Sequence, residues 1–98
     1  MNSNLEQITG KIKNIKPDLR ARYSVISIGI FGSFARGDET LASDLDILVE
    51  MDKPVDIFKF IELEEELSGL TGRKVDLVSR KALKPAIGAR ILQEVYYI

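Results

Sequence analysis

The feature that most restricts the fold of this chain is an apolar, largely β-branched run, Val25–Phe31, which stops at Gly32-Ser33. Such a continuous run is typical of a buried strand, because a strand with one wet face alternates polar and apolar residues. A buried strand needs neighbouring strands and covering helices to remove its backbone and side chains from water. The run therefore predicts a β-sheet with helices packed against it.

Two later segments, 44–51 and 74–79, are also predicted to be strands because their side chains alternate. In the first, the alternation separates two sets of residues: Asp44, Asp46 and Leu48 on one face, and Leu45, Ile47 and Val49 on the other. In the second, Asp76 and Val78 lie opposite the inward-facing Val75 and Leu77. The sheet is thus expected to carry acidic residues on one face.

Helical spacing of apolar residues predicts the remaining elements. We expect a helix over 5–15 that stops near Pro17, a short helical turn over 18–23, a helix from Pro54 to Gly69 or Gly72, a helix over 83–95, and an edge strand at 96–98. Residues 34–43 have the small, polar character of a loop. The fold class is α/β (α+β), a small mixed sheet flanked by helices, and 98 residues suit one domain, 1–98.

Composition narrows the chemistry that is possible. The chain has no Cys and no His, which excludes disulfides, thiolate zinc sites and thiol nucleophiles and leaves carboxylates as ligands for a hard cation such as Mg²⁺. Its net charge of -1 gives no general basic field, so we expect no direct binding of nucleic acid. It shows neither a signal peptide nor an apolar run of membrane-spanning length, which favours a cytoplasmic location.

The residues that indicate a function are Gly32-Ser33, ten intervening residues, and then Asp44-x-Asp46. Residues two apart on a strand face the same way, and their Cα atoms are about 6.5–7 Å apart. Two carboxylates at that distance repel by roughly 2–3 kcal/mol at an effective dielectric constant near 20. A divalent cation between Asp44 and Asp46 would offset this repulsion.

The Gly-Ser end of the motif predicts a phosphate site. Outward N–H groups after a strand attract phosphate, Gly32 permits close approach, and Ser33 adds a hydroxyl. Arg36 can bind the same anion through its planar guanidinium group. Asp76 is the candidate third carboxylate, as a metal ligand or as the general base. Together these residues indicate a site for a Mg²⁺-nucleoside triphosphate.

Each of these residues also has a purely structural explanation. Asp44 and Asp46 can be charges that protect a sheet edge, Gly32-Ser33 a plain turn, and Arg36 and Asp76 solvated surface residues. Glu62 to Glu66 are expected to form a solvent-exposed helix face, and Lys81, Lys84 and Arg90 another solvated face. Tyr96 and Tyr97 are expected to cover the edge of the core or to contact a partner. The four motif positions coincide by chance in roughly one chain in a thousand, which favours the functional interpretation.

Gly32-Ser33, Asp44-x-Asp46 and Asp76 resemble the motif of the DNA polymerase β-like nucleotidyltransferase superfamily. Length and element order resemble its minimal nucleotidyltransferase branch, over residues 26 to about 95. The resemblance implies that Gly32 and Ser33 bind triphosphate, that Asp44 and Asp46 ligate Mg²⁺, and that Asp76 supplies the third carboxylate. Arg36 is similar to a cation frequent in that family.

The resemblance also implies a partner and a reaction. Many minimal nucleotidyltransferases pair with an HEPN-family ribonuclease toxin and act as its antitoxin by transferring AMP from ATP to a tyrosine of the toxin. Since 98 residues leave no room for an acceptor-binding domain, the acceptor is expected on another chain or a second copy. Two alternatives remain: a non-catalytic binding module that masks its partner, and transfer to a small molecule such as an aminoglycoside.

Overall fold

The computed structural model describes residues 3–98, which form an α+β fold. The elements in chain order are α1 Ser3–Tyr23, β1 Val25–Phe31, α2 Ser33–Arg36, β2 Leu45–Met51, α3 Ile57–Thr71, β3 Val75–Ser79, a 3-10 turn Arg80–Ala82, α4 Pro85–Glu94 and β4 Tyr96–Tyr97. Of the helices in this part of the chain, none has both the length and the apolar character to cross a membrane.

The strands form one mixed sheet in the order β3-β2-β1-β4. β1 is antiparallel to both β2 and β4, whereas β2 and β3 are parallel. One face of the sheet packs with α1 and α3 around the buried aliphatic residues of the strands, among them Ile30, Ile47 and Leu77. The predicted mixed sheet, its flanking helices and the short edge strand at the C-terminal end are therefore confirmed.

The predicted end of the first helix at Pro17 is wrong, because α1 continues through the proline to Tyr23. Pro17 cannot donate a backbone hydrogen bond, which normally breaks a helix. The helical turns that follow Pro17 are stabilised because Leu19 is fully buried and Tyr23 nearly so. Arg22 adds a salt bridge to Asp18 at 2.6 Å. Tertiary packing here overrides the local preference.

Other boundaries differ from the sequence-based expectation. The segment 34–43 is not all loop, since α2 places the fully buried Phe34 in the core. α3 begins at Ile57 rather than Pro54, because Asp56 caps it by accepting a hydrogen bond from the Lys59 N–H at 2.8 Å. Its end agrees with the expectation, since the helix stops at Thr71 and is capped by Gly72, whose φ of 69° suits glycine in the left-handed region.

The last helix is shorter and more exposed than its apolar spacing predicts. α4 excludes residues 83 and 95, and Gly88 is its one buried residue. Ile87, one of the apolar residues at helical spacing from which this helix was predicted, is 57% exposed. The reason is that α1 and α3 already cover the core face, so α4 lies beside the opposite face of the sheet. There, Ile87 and Ile91 form one wall of a cleft.

Replacing Pro17 by alanine is expected to stabilise the protein. An interior proline costs a helix about 3 kcal/mol, and part of that cost is recovered because proline also restricts the unfolded chain. We expect Pro17→Ala to raise the free energy of unfolding by about 1–2 kcal/mol in urea titrations. Leu19→Ala, two residues further on, should lower it by about 2–5 kcal/mol. An unchanged or lower value for Pro17→Ala would mean that the proline fits the path of the helix.

Candidate active site

Five of the six predicted site residues line a single cleft of about 650 Å³. The cleft lies between four parts of the fold: the end of β1, the short helix α2, the start of β2, and α4. The five lining residues are Gly32, Ser33, Arg36, Asp44 and Asp46. Chain direction explains the arrangement. β1 runs into the Gly-Ser turn, and β2 runs back beside it, with Phe31 paired to Asp46. The two ends of the motif, ten residues apart in sequence, therefore meet in space.

Gly32 joins the turn to the acidic residues. Its φ of 74° lies in the left-handed region, which side chains rarely adopt. A Cβ at this position would also collide with the Asp46 carboxylate. The positive φ therefore favours glycine, and a side chain here would in addition push the Asp46 carboxylate from its position, because the Gly32 backbone lies directly against it. The sequence motif anticipates the glycine but not this contact.

Asp76 lies beside Asp46 on the neighbouring strand. The parallel register of β2 and β3 pairs these two residues, so their side chains leave the same face of the sheet from strands about 4.8 Å apart. Burial raises the pKa of the partly buried Asp46 carboxyl, and the negative charges of Asp76, Asp44 and Glu94 raise it further. The alternation of residues 74–79 predicted only the face of Asp76, and the pairing of β2 with β3 places that face beside Asp46.

Asp46 and Asp76 share a face of the sheet and Asp44 directly precedes β2, but the three carboxylates do not form a finished metal site. Asp76 is exposed and does not line the cleft. Within residues 3–98, no group of three acidic side chains already has the geometry to hold a metal ion. The donors nevertheless fit Mg²⁺, which prefers carboxylate oxygens, and a bound cation would offset both the burial and the neighbouring negative charges that raise the pKa of Asp46.

The Glu94 side chain contacts both Arg36 and Gly32, and the sequence did not predict this contact. The Glu94 carboxylate accepts a hydrogen bond from the Gly32 N–H at 2.9 Å and pairs with the Arg36 guanidinium at 3.1 Å. Arg36 also pairs with Asp38 at 3.3 Å, and both acidic partners raise its pKa. Glu94 carries no motif signal. It enters the site because α4 ends just before β4, which pairs with β1 next to the Gly-Ser turn.

Known proteins resemble this chain over nearly its whole length. The sequence model of the family described as "Nucleotidyltransferase domain" matches residues 12–98. Protein adenylyltransferase MntA of Thermococcus cleftensis is 45% identical over 94 residues, which cover 96% of this chain and 95% of that protein.

Solved structures share the fold. A candidate minimal nucleotidyltransferase has a TM-score of 0.80 at 32% identity, covering 98% of this chain and 95% of its own. A toxin–antitoxin structure with AMP-PNP has a TM-score of 0.75 at 25% identity, covering 90% of this chain and 69% of its own. A complex of a tri-AMPylated HEPN toxin with an MNT antitoxin from Shewanella oneidensis matches in fold, with a TM-score of 0.63 at 20% identity and coverage of 99% and 71%.

The region matched by the family model includes the cleft described above. The matched region contains the Gly-Ser turn, both aspartates of Asp44-x-Asp46, and Asp76. The helices and mixed sheet that position these residues are those of a minimal nucleotidyltransferase. The resemblance inferred from the sequence is confirmed, and the chain belongs to the nucleotidyltransferase domain family.

Proposed function

We propose that the chain is a Mg²⁺-dependent adenylyltransferase that transfers AMP from ATP to a tyrosine of an HEPN-family toxin, and so acts as its antitoxin. The observation that carries this proposal is the cleft that brings Gly32, Ser33 and Arg36 to one side of Asp44 and Asp46. It offers donors for phosphate and carboxylates for a cation at the same place. The name of the Thermococcus cleftensis relative supports AMP transfer to a protein.

In this proposal, different residues of the site bind the phosphates of ATP and the cation. The Gly32 N–H, the Ser33 hydroxyl and the Arg36 guanidinium donate hydrogen bonds to phosphate oxygens. Asp44 and Asp46 would hold Mg²⁺, which would neutralise the charge that develops on the phosphate oxygens, and Asp76 would be either a third ligand or the general base. Because Gly32 has no side chain, the triphosphate can approach its backbone closely.

The reaction transfers one group and releases another. The acceptor oxygen attacks the α-phosphorus of ATP, a new P–O bond forms, and the bond from the α-phosphorus to the bridging oxygen breaks. Pyrophosphate leaves with that bonding electron pair. The proton of the acceptor hydroxyl passes to a carboxylate, for which Asp76 is the candidate because it is exposed beside the acidic pair.

The acceptor is proposed to lie on another protein. The cleft is open to solvent, and among residues 3–98 no further domain lies over it to enclose a small acceptor. The toxin–antitoxin structure with AMP-PNP, a relative in fold at 25% identity, supports such an assembly. Transfer to a small molecule such as an aminoglycoside is the weaker alternative, because no part of the described chain encloses one.

Mutation of the aspartates should abolish transfer without abolishing folding. With α-labelled ATP, Mg²⁺ and the candidate toxin, we expect label on the toxin for the natural protein, and a loss of at least 100-fold for Asp44→Asn or Asp46→Asn, since metal-assisted charge stabilisation is worth several kcal/mol. Chelation with EDTA should have the same effect. Asp52→Asn is the matched control, because Asp52 is exposed and follows the opposite end of β2.

The same experiment separates catalysis from masking. If the aspartate variants neutralise the toxin as well as the natural protein does, and no label is transferred, the chain is a non-catalytic binding module. If label appears on a small molecule and not on the toxin, the protein acceptor is wrong. Mapping the labelled residue by mass spectrometry tests whether it is a tyrosine.

Asp46→Asn should also stabilise the protein at neutral pH. The folded pKa of Asp46 is raised above its ordinary value of 3.8, so the folded state binds this proton more tightly than the unfolded state does. The ionised side chain therefore destabilises the fold above that raised pKa, and this penalty disappears as the pH falls below 3.8. We expect Asp46→Asn to raise Tm by a few degrees at pH 7 and to change it little near pH 3.

Asp52→Asn serves again as the control and should leave Tm almost unchanged at both pH values. A Tm for Asp46→Asn at pH 7 equal to or below that of the natural protein would contradict the electrostatic analysis.

A further inference from the structure

The Glu94 carboxylate binds the same groups to which the proposed function assigns the triphosphate. Its Oε1 accepts the Gly32 N–H at 2.9 Å, and its two oxygens lie 3.1 and 3.4 Å from one Arg36 nitrogen. Glu94 is partly exposed, at 31% of its side chain, and lines the cleft. The Glu94 carboxylate thus occupies the hydrogen-bond donors that a phosphate oxygen would need.

Glu94 and a bound phosphate exclude one another at this position. The Gly32 N–H has a single hydrogen, which forms a well-aligned bond with one acceptor at a time. Both candidates are anions, so they also repel at close range. Glu94 further adds negative charge beside Asp46, where a cation is proposed to bind. Phosphate binding therefore requires the Glu94 side chain to leave.

Rotation of the side chain is sufficient for this exchange. The backbone that follows Glu94 is fixed, because Tyr96 and Tyr97 pair with β1 and because Val95 packs so closely on Gly29 that no side chain would fit there. The Glu94 side chain itself lies at the rim of the cleft. Arg90 also lines the cleft one helical turn earlier, at the spacing at which helical charge pairs form, so a displaced carboxylate has a second cation within reach.

We propose that Glu94 is an autoinhibitory gate, whose carboxylate holds the Gly32 N–H and Arg36 in the nucleotide-free protein and is displaced by the triphosphate. This inference rests on the proposed function, since it concerns the same phosphate groups. The gate lowers the apparent affinity for nucleotide by the fraction of molecules in which the site is open. It also keeps the phosphate donors satisfied when no nucleotide is bound.

The test compares two charge-removing variants at the same guanidinium group. Glu94→Gln removes the charge that contacts both Gly32 and Arg36, whereas Asp38→Asn removes a charge that contacts Arg36 alone. Binding of the non-hydrolysable analogue AMP-PNP with Mg²⁺ is measured by calorimetry for both variants and the natural protein. If the closed state is favoured about tenfold, we expect about tenfold tighter binding for Glu94→Gln. Asp38→Asn should gain less than about twofold, because its ion pair is exposed.

A second measurement does not depend on nucleotide binding. In the nucleotide-free protein, the backbone amide of Gly32 should show a shifted NMR resonance and slower hydrogen exchange than in Glu94→Gln, because only the natural protein holds that N–H in a charge-assisted bond. Adding AMP-PNP and Mg²⁺ should bring the Gly32 resonances of the two proteins together. A circular dichroism melt of each variant establishes that it is folded.

The outcomes separate the gate from the proposed function. Equal affinities for the natural protein and Glu94→Gln, or equal gains for Glu94→Gln and Asp38→Asn, would overturn the gate and leave adenylyl transfer standing. Identical Gly32 amides in the free natural protein and Glu94→Gln would also overturn it. A failure of all three proteins to bind AMP-PNP would instead overturn the proposed function, and the gate with it.

Discussion

The antiparallel register of β1 and β2 is the constraint on which the site depends. It pairs Phe31 with Asp46, so that the Gly-Ser turn at the end of one strand lies against the carboxylate at the start of the next. A shift of one residue would turn Asp46 towards the apolar core and Leu45 or Ile47 towards the cleft. Because Leu45 and Ile47 are fully buried, the core fixes the register, and the register fixes the site.

The sheet separates stability from function by using its two faces differently. One face packs its aliphatic residues with α1 and α3 in the core. The other face places Asp46 beside Asp76, and the burial of Asp46 together with the negative charge of Asp76 raises the pKa of Asp46, so its ionised form opposes folding. Burial of apolar side chains on the first face offsets this cost, so the fold tolerates the acidic residues of the proposed cation site. Functional sites commonly carry such a local cost.

Sequence periodicity predicted the strands well, because alternation determines which residues share a face regardless of tertiary contacts. Asp76 is the clearest example, since its face followed from Val75 and Leu77 alone. Periodicity gave wrong predictions where tertiary packing determines the local structure or the burial of a residue. Pro17 stays inside a helix because Leu19 and Tyr23 are buried, and Ile87 is exposed because α1 and α3 already cover the core. Glu94 was beyond prediction, since its role depends on how α4 sits over the Gly-Ser turn, which no local spacing encodes.

The position of Asp76 bears on where an acceptor would approach. β3 is an edge strand of the sheet, and Asp76 is exposed there, outside the cleft that contains the phosphate-binding groups. In the proposed reaction the triphosphate lies between the Gly-Ser turn and α4, so the side next to β3 is the one left open. An acceptor hydroxyl that gives its proton to Asp76 must arrive from that side. In the proposed reaction, the described residues supply the nucleotide half of the site, and the surface of a second molecule supplies the acceptor half.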